Sequence, residues 1–490
     1  MLPPASATRL RRALLPRPPQ LMLTRLQSTA LVLRAELDRR SVLMAAGGWV
    51  IAAFIVGQIL RLGTSIGLAA LLAPELLGLM ALINTVQTGG ELLSDIGIGQ
   101  SIVQHKDGDK SRFYRTAWTL QVVRGLVLFA AMVAASVPIA HLYDEPLLLS
   151  LLPVSALVFV ISGFISPARF LLQRDIRTRR LAIFGIVQGT FSAAVHLFLA
   201  WYLQSIWALV YALLISASFV AISSFFMMDW RIHRFTWDRG AVRAIFGFGK
   251  WVFLSTLIFF LAANFDRLYV AQAASFAALG VYGIARTFAD TATALTQHLA
   301  SQVLFPKVAT SPLRGVALRE AVRPVRRAIV VIIAVGMACG LAVADRFITL
   351  AYDARYAAAG FYLSVLLTGG WFAMLATFAD NMLMGIGKPA NMAIGNGAKL
   401  LALVTLVPLV LPLYGMAAAV VVFSAVEMLR YAVLTARAGA HGLSFWRQDA
   451  EATALFVGLA LVLRELTGLA GLTSGVAGWV DLTHSALPFV

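Results

Sequence analysis

The chain has 490 residues, of which 60% are hydrophobic and only 13% charged, with a mean hydropathy of +0.83. A soluble domain carries roughly 25% charged residues, so this composition excludes a soluble enzyme, a disordered chain and a fibrous protein, and leaves an integral membrane protein. In so apolar a chain the net charge of +17 points to Arg-rich cytoplasmic loops rather than to nucleic acid.

Residues 1–42 form a basic N-terminal segment, with eight Arg and no Lys in the first forty residues. It lacks the apolar core of a signal peptide. Its charge suits the anionic cytoplasmic leaflet, and Met22 offers an alternative start. A spanning helix needs roughly 20 apolar residues. Runs of that kind lie near 43–72, 77–103, 117–141, 147–168, 181–203, 206–228, 250–273, 277–305, 327–350, 359–386, 389–411 and 414–436, and breakers such as Pro74, Pro146, Gly240, Pro306, Pro389 and Pro412 separate them.

Basic residues alternate with this count. Lys106, Lys110, Arg112 and Arg115 fill the second loop, Arg169 to Arg180 the fourth, Arg231 to Lys250 the sixth and Lys307 to Arg327 the eighth, whereas the odd loops are nearly bare. A wrong helix count would scramble the pattern. The expectation is therefore an all-α polytopic membrane protein of twelve helices, with the N-terminus and every even loop cytoplasmic. Beyond residue 436, the stretch 452–463 is too short to span alone and runs into Arg464–Glu465. Residues 437–490 leave one or two further helices, or an interfacial segment, open, and a pair would raise the count to fourteen. The single Cys339 sits in an apolar run and reads as a packed core residue.

The spans repeat. Leu77-Gly78 opens the second span as Leu279-Gly280 opens the eighth, and at that spacing Thr85 meets Thr287 and Gln100 meets Gln302. Ile186 and Gly189 likewise meet Ile394 and Gly397. An offset of six spans preserves orientation, so two parallel six-helix bundles follow, 43–228 and 250–436, divided by a basic cytoplasmic linker at 229–249.

The stretch LLAPELLGLMALINTVQTGGELLSDIGIGQSIVQHK resembles the second-helix region of bacterial polysaccharide transporters. The second half, with Gly249-Lys250, Asp266, and Leu279-Gly280 followed by Tyr282, is similar to the start of that family's second half. The resemblance covers roughly residues 40–440 and extends to the superfamily of oligosaccharide-lipid flippases, multidrug exporters and lipid II exporters. It implies two bundles around a central cavity and alternating access. It also implies movement of a polyprenyl-pyrophosphate-linked oligosaccharide to the periplasmic leaflet of the bacterial inner membrane, with a polysaccharide polymerase as a candidate downstream partner.

Charged residues inside the spans are costly and therefore informative. Counting depth along each helix puts Arg61, Arg286 and Lys399 near the midplane. These three are the candidate substrate-binding residues, because guanidinium and ammonium groups match a pyrophosphate head and the resembled flippases line the first-half cavity with cations. The competing reading is internal pairing, since Arg286 and Asp290 stand at i, i+4 on one helix. Glu91 and Asp290 are the candidate carboxylates for H+ or Na+ coupling. His196, in an apolar helix, reads as a packing residue. No catalytic residue, metal site or cofactor is expected, because no phosphate-binding glycine loop, zinc motif or nucleophile triad occurs. A multidrug or cation antiporter is the first alternative, but it calls for a carboxylate-dominated site. A membrane polymerase or ligase acting on lipid-linked glycans is the second, and it calls for larger exterior loops.

Overall fold

The computed structural model describes residues 48–476 apart from 50, 96, 176, 229–232, 472 and 474. The N-terminal segment 1–42, part of the linker and residues 477–490 lie outside the described residues. Those described form helices throughout. The first bundle holds α1 (Ile51–Leu71), α2 (Pro74–Leu93), α3 (Ile98–Gln104), α4 (Ser111–Tyr143), α5 (Leu148–Gly163), α6 (Ala168–Arg174), α7 (Thr178–Leu203) and α8 (Ile206–Phe225). The second holds α9 (Arg239–Ala273), α10 (Phe276–Leu299), α11 (Phe305–Ala309), α12 (Gly315–Ala351), α13 (Ala358–Gly385) and α14 (Ala390–Gly439), followed by α15 (Trp446–Leu469).

Local chemistry accounts for the breaks. Gly97, at φ 72°, takes the left-handed conformation between α2 and α3, where a side chain would be strained. Helices α5 and α6 meet at 51°. Gln121 of α4 mends that break, its amide donating to the carbonyls of Ser162, Gly163 and Ile165 at 3.0, 3.2 and 3.1 Å. Gly415, at φ 76°, divides α14 into arms of residues 390–414 and 416–439, which are the two spans expected on either side of Pro412. The π-helical turn Ala300–Leu304 carries α10 into α11.

Two contacts join the bundles at the ends of the helices. At the end with the basic loops, linker residues 236 and 238 are pinned to α4, the amides of Thr236 and Asp238 donating to the hydroxyls of Thr119 and Thr116 at 3.0 and 3.1 Å. Ala241 and Ile245 of α9 then bury against Ile98, Phe113 and Leu171 of the first bundle. Further along, α9 crosses α2 and packs on α14. It is thus shared between bundles.

At the bare-loop end, α2 and α10 touch backbone to backbone. A Cβ at Gly78 would fall 1.9 Å from the Phe276 carbonyl oxygen, and one at Gly280 would fall 2.0 Å from that of Pro74. The two positions matched by the internal repeat therefore face each other across a pseudo-two-fold axis. Tyr356 adds a bond to the Leu72 carbonyl at 3.2 Å. Its neighbour Arg355 reaches the Ala69 carbonyl at 3.4 Å while holding the Asp353 carboxyl below the usual carboxylate range through a hydrogen bond.

In the C-terminal segment the short apolar stretch 452–463 is part of a longer helix. Helix α15 has 24 residues and is long and apolar enough to cross a membrane, about 36 Å at 1.5 Å per residue. Its polar residues do not end it, because they pair with α12. Arg326, between Phe445 and Phe378, bonds Asp449 at 2.6 Å and Gln448 at 2.9 Å. Arg464 grips Asp345 with two bonds of 2.5 and 2.8 Å. Cys339 is unlike its expectation: it lies exposed on α12 rather than in the core, because α12 turns that face away from α13 and α15.

Candidate functional site

A polar cavity of about 610 Å³ lies between α1, α2, α7, α8, α9 and α10, so both bundles build it. Polar residues reach it at helical spacing. On α1 these are Arg61, Thr64 and Ser65; on α2, Asn84, Thr85 and Thr88; on α7, Ser192 and His196; on α9, Asn264 and Arg267. Two cations line it, and none of its lining residues is Asp or Glu.

Arg61 is held without a counter-ion. Its Nε donates to Gln58 Oε1 at 3.0 Å and its Nη2 to Thr291 Oγ1 at 2.5 Å, with a longer bond to the Thr287 carbonyl at 3.4 Å. Among the described residues it forms no ion pair. Neutral partners orient a guanidinium without a direct carboxylate bond, leaving it available to a ligand. Arg267, by contrast, pairs with Asp290 at 3.1 Å.

Arg286 and Lys399 lie in a second, smaller compartment of about 200 Å³ between α9, α10, α13 and α14. Arg286 donates to Asp290 at 2.7 Å, to Asp266 and to the Tyr282 hydroxyl at 3.1 Å. Tyr282 in turn donates to Asp266. Lys399 binds Glu427, and Arg430 bridges Asp380 at 2.5 Å and Glu427 at 3.6 Å. With Arg267, these make two neighbouring networks, Arg267 and Arg286 with Asp266 and Asp290, and Lys399 and Arg430 with Asp380 and Glu427, each with balanced formal charge. Of the candidate substrate residues, the central cavity thus brings Arg61 together with Arg267, while Arg286 and Lys399 sit on carboxylates next door.

The candidate coupling residues also separate. Asp290 is shared by Arg267 and Arg286. Glu91 lines a third cavity of about 560 Å³ inside the first bundle, with Asp95, Arg124 and Arg169. Arg124 passes its bonds to the Glu91 carbonyl and to Ser94 Oγ, at 2.5 and 2.9 Å, and no ion pair within 4 Å reaches the Glu91 carboxylate among the described residues.

Depth counting alone misses Arg267, His196, Ser192 and Asn84 as cavity residues. The signal was their period: 57, 61, 64, 65 and 68 on α1, and 189, 192, 193 and 196 on α7, trace one stripe of a 3.6-residue helix.

Helices of membrane-spanning length packed around a polar cavity define a multi-pass membrane protein. The chain belongs to the polysaccharide biosynthesis protein family, which residues 67–359 match. It is similar to the teichuronic acid biosynthesis protein TuaB of Bacillus subtilis (strain 168), at 23% identity over 305 residues, covering 61% of this chain and 62% of that one. It is also similar to the succinoglycan biosynthesis transport protein ExoT of Rhizobium meliloti (strain 1021), at 23% identity over 244 residues, 49% of this chain and 48% of that one. The chain therefore matches less than two thirds of the length of either relative. Among solved structures its fold is similar to the lipid II flippase MurJ in an inward closed conformation, with a TM-score of 0.70 and 11% identity over 90% of this chain and 98% of the other. It is similar, less closely, to an inward-facing multidrug transporter of the MATE family, with a TM-score of 0.55 and 15% identity over 81% of this chain and 95% of the other.

Proposed function

We propose that this protein is a flippase moving a polyprenyl-pyrophosphate-linked oligosaccharide from the cytoplasmic to the periplasmic leaflet of the inner membrane, for a cell-surface polysaccharide. The observation that carries the reading is Arg61, a cation without a carboxylate in a cavity whose lining has no carboxylate. A planar guanidinium gives two parallel bonds to phosphate oxygens, and Arg61 keeps an exposed face toward the cavity with which to give them. A multidrug exporter taking organic cations would need the opposite sign at this place. Basic loops favour the cytoplasmic side, and this supports reading the Gly78–Gly280 crossing as the periplasmic closure. Carrying an anionic head outward across a membrane that is negative inside gains about 2.3 kcal/mol per charge per 100 mV. Glu91 is the carboxylate we assign to any H+ or Na+ coupling.

The test is a leaflet assay in proteoliposomes with a fluorescent polyprenyl-pyrophosphate oligosaccharide. The wild type moves the lipid, and Arg61→Ala slows it about 10- to 100-fold, the worth of a charge-assisted hydrogen bond, while accumulating normally in the membrane. No movement of the lipid under an imposed potential or ion gradient, with an organic cation exported instead, would overturn the proposal.

A further inference from the structure

The central cavity has two chemically different walls. One, from α1, α9 and α10, carries Arg61, Arg267 and Thr287; the other, from α7 and α2, carries Ser192, His196, Asn84 and Thr88 and no charged residue. A ligand with an anionic head and a neutral, hydroxyl-rich body fits that division.

We infer that His196 is a specificity residue that reads a hydroxyl of the sugar next to the pyrophosphate; the inference rests on the transport reading above. His196 stands one turn after Ser192 on α7, and its Nδ1 lies 2.8 Å from the Ser192 carbonyl oxygen. A carbonyl oxygen only accepts, so Nδ1 carries the proton and the neutral ring keeps a lone pair on Nε2. Nε2 has no partner among the described residues, although the residue is half-buried and lines the cavity. An acceptor held in this way takes a bond from an O–H. It offers nothing to an ionised phosphate, which has no proton to give. The histidine thus favours one orientation of the ligand, with the phosphates on the Arg61 wall and the sugar on the α7 wall. A site built to bond a hydroxyl discriminates against ligands that lack it, because its own polar group is then left unpaired.

The test compares two probes bound to the purified full-length protein in nanodiscs: a polyprenyl-pyrophosphate disaccharide, and the same polyprenyl pyrophosphate without sugar. His196→Leu should weaken the disaccharide lipid about tenfold and leave the sugar-free lipid within about twofold. His196→Gln, which keeps an acceptor near the Nε2 position, should recover most of the loss. Arg61→Ala should weaken both probes alike. If His196→Leu leaves both probes unaffected or weakens them equally, with an unchanged melting temperature, the assignment of His196 is overturned while the transport reading stands. If the wild type binds neither probe, the transport reading itself fails.

Discussion

Arg61 and Arg286 carry the same guanidinium to similar depth, and they differ in what faces them. Around Arg61 stand a glutamine, a threonine and a carbonyl; around Arg286 stand two carboxylates and a tyrosine. Removing Arg61 therefore strands no opposite charge. Removing Arg286 leaves Asp266 buried with no cation bonded to it, and breaking a buried pair from one side costs about 3–5 kcal/mol. Arg286→Ala should melt well below the wild type in detergent and accumulate poorly, whereas Arg61→Ala should melt alongside it. An Arg286→Ala protein of unchanged stability that no longer transports would make Arg286 a ligand-binding residue after all. Depth along a helix was readable from the sequence for both arginines. The pairing was readable in part, since Asp290 stands at i, i+4 from Arg286 on α10, but Asp266 reaches Arg286 from α9, a facing side set by packing alone.

At the scale of elements, the crossing of α2 and α10 is tight because Gly78 and Gly280 bring no side chain to it. Even a methyl group at Gly78 would press on the Phe276 carbonyl. Gly78→Ala, and more strongly Gly78→Leu, should part the two helices and admit reagents from that end. With Cys339 replaced by Ser, a cysteine in place of Thr88 in the cavity wall should react several-fold faster with a membrane-impermeant maleimide added from the periplasmic side when Gly78→Leu is present. An unchanged rate would place the seal elsewhere.

Helix α15 offers the second test at this scale. Arg326→Met alone should lower the melting temperature, by the same stranded-charge logic. Adding Asp449→Leu should restore at least half of the loss, since replacing both members of a buried pair by apolar groups is often neutral. Failure of the double variant to recover would mean that Tyr431 and Gln448, which also bond this pair, carry the energy. The sequence made α15 look too short because its apolar run, 452–463, stops at Arg464 and leaves out the residues before 452, Asp449 among them. Both are buried against α12, so the apolar run was cut at residues that belong to the span.

For the whole molecule, the excess of positive charge has two parts. Most of it lies in the loops at one end, where it was legible as topology. The remainder lies within the helices, where Arg286, Lys399 and Arg430 of the second bundle sit on carboxylates and, among the described residues, Arg61 of the first reaches the cavity without an ion pair. The repeat in the sequence likewise survives in three dimensions as the paired glycines, although so few identities could not tell that the matched residues touch. The shared helix α9 was not foreseeable: its first turns, carrying Arg239, Arg243 and Lys250, read as the end of the basic linker 229–249, and only their contacts with α3, α4 and α6 show that the helix begins against one bundle and ends in the other.

The clamps on α15 set a timetable for biogenesis. Asp345 and Arg464 are 119 residues apart, and ribosomes add about 5–20 residues per second, so Asp345 enters the bilayer roughly 6–24 seconds before its partner is synthesised. During that interval α12 holds a carboxylate and the Arg326 guanidinium with neither final counter-ion available. The second bundle therefore waits for the last described helix before its charges are settled. A nascent chain stalled between α14 and α15 would be a natural target for the quality-control proteases of the membrane.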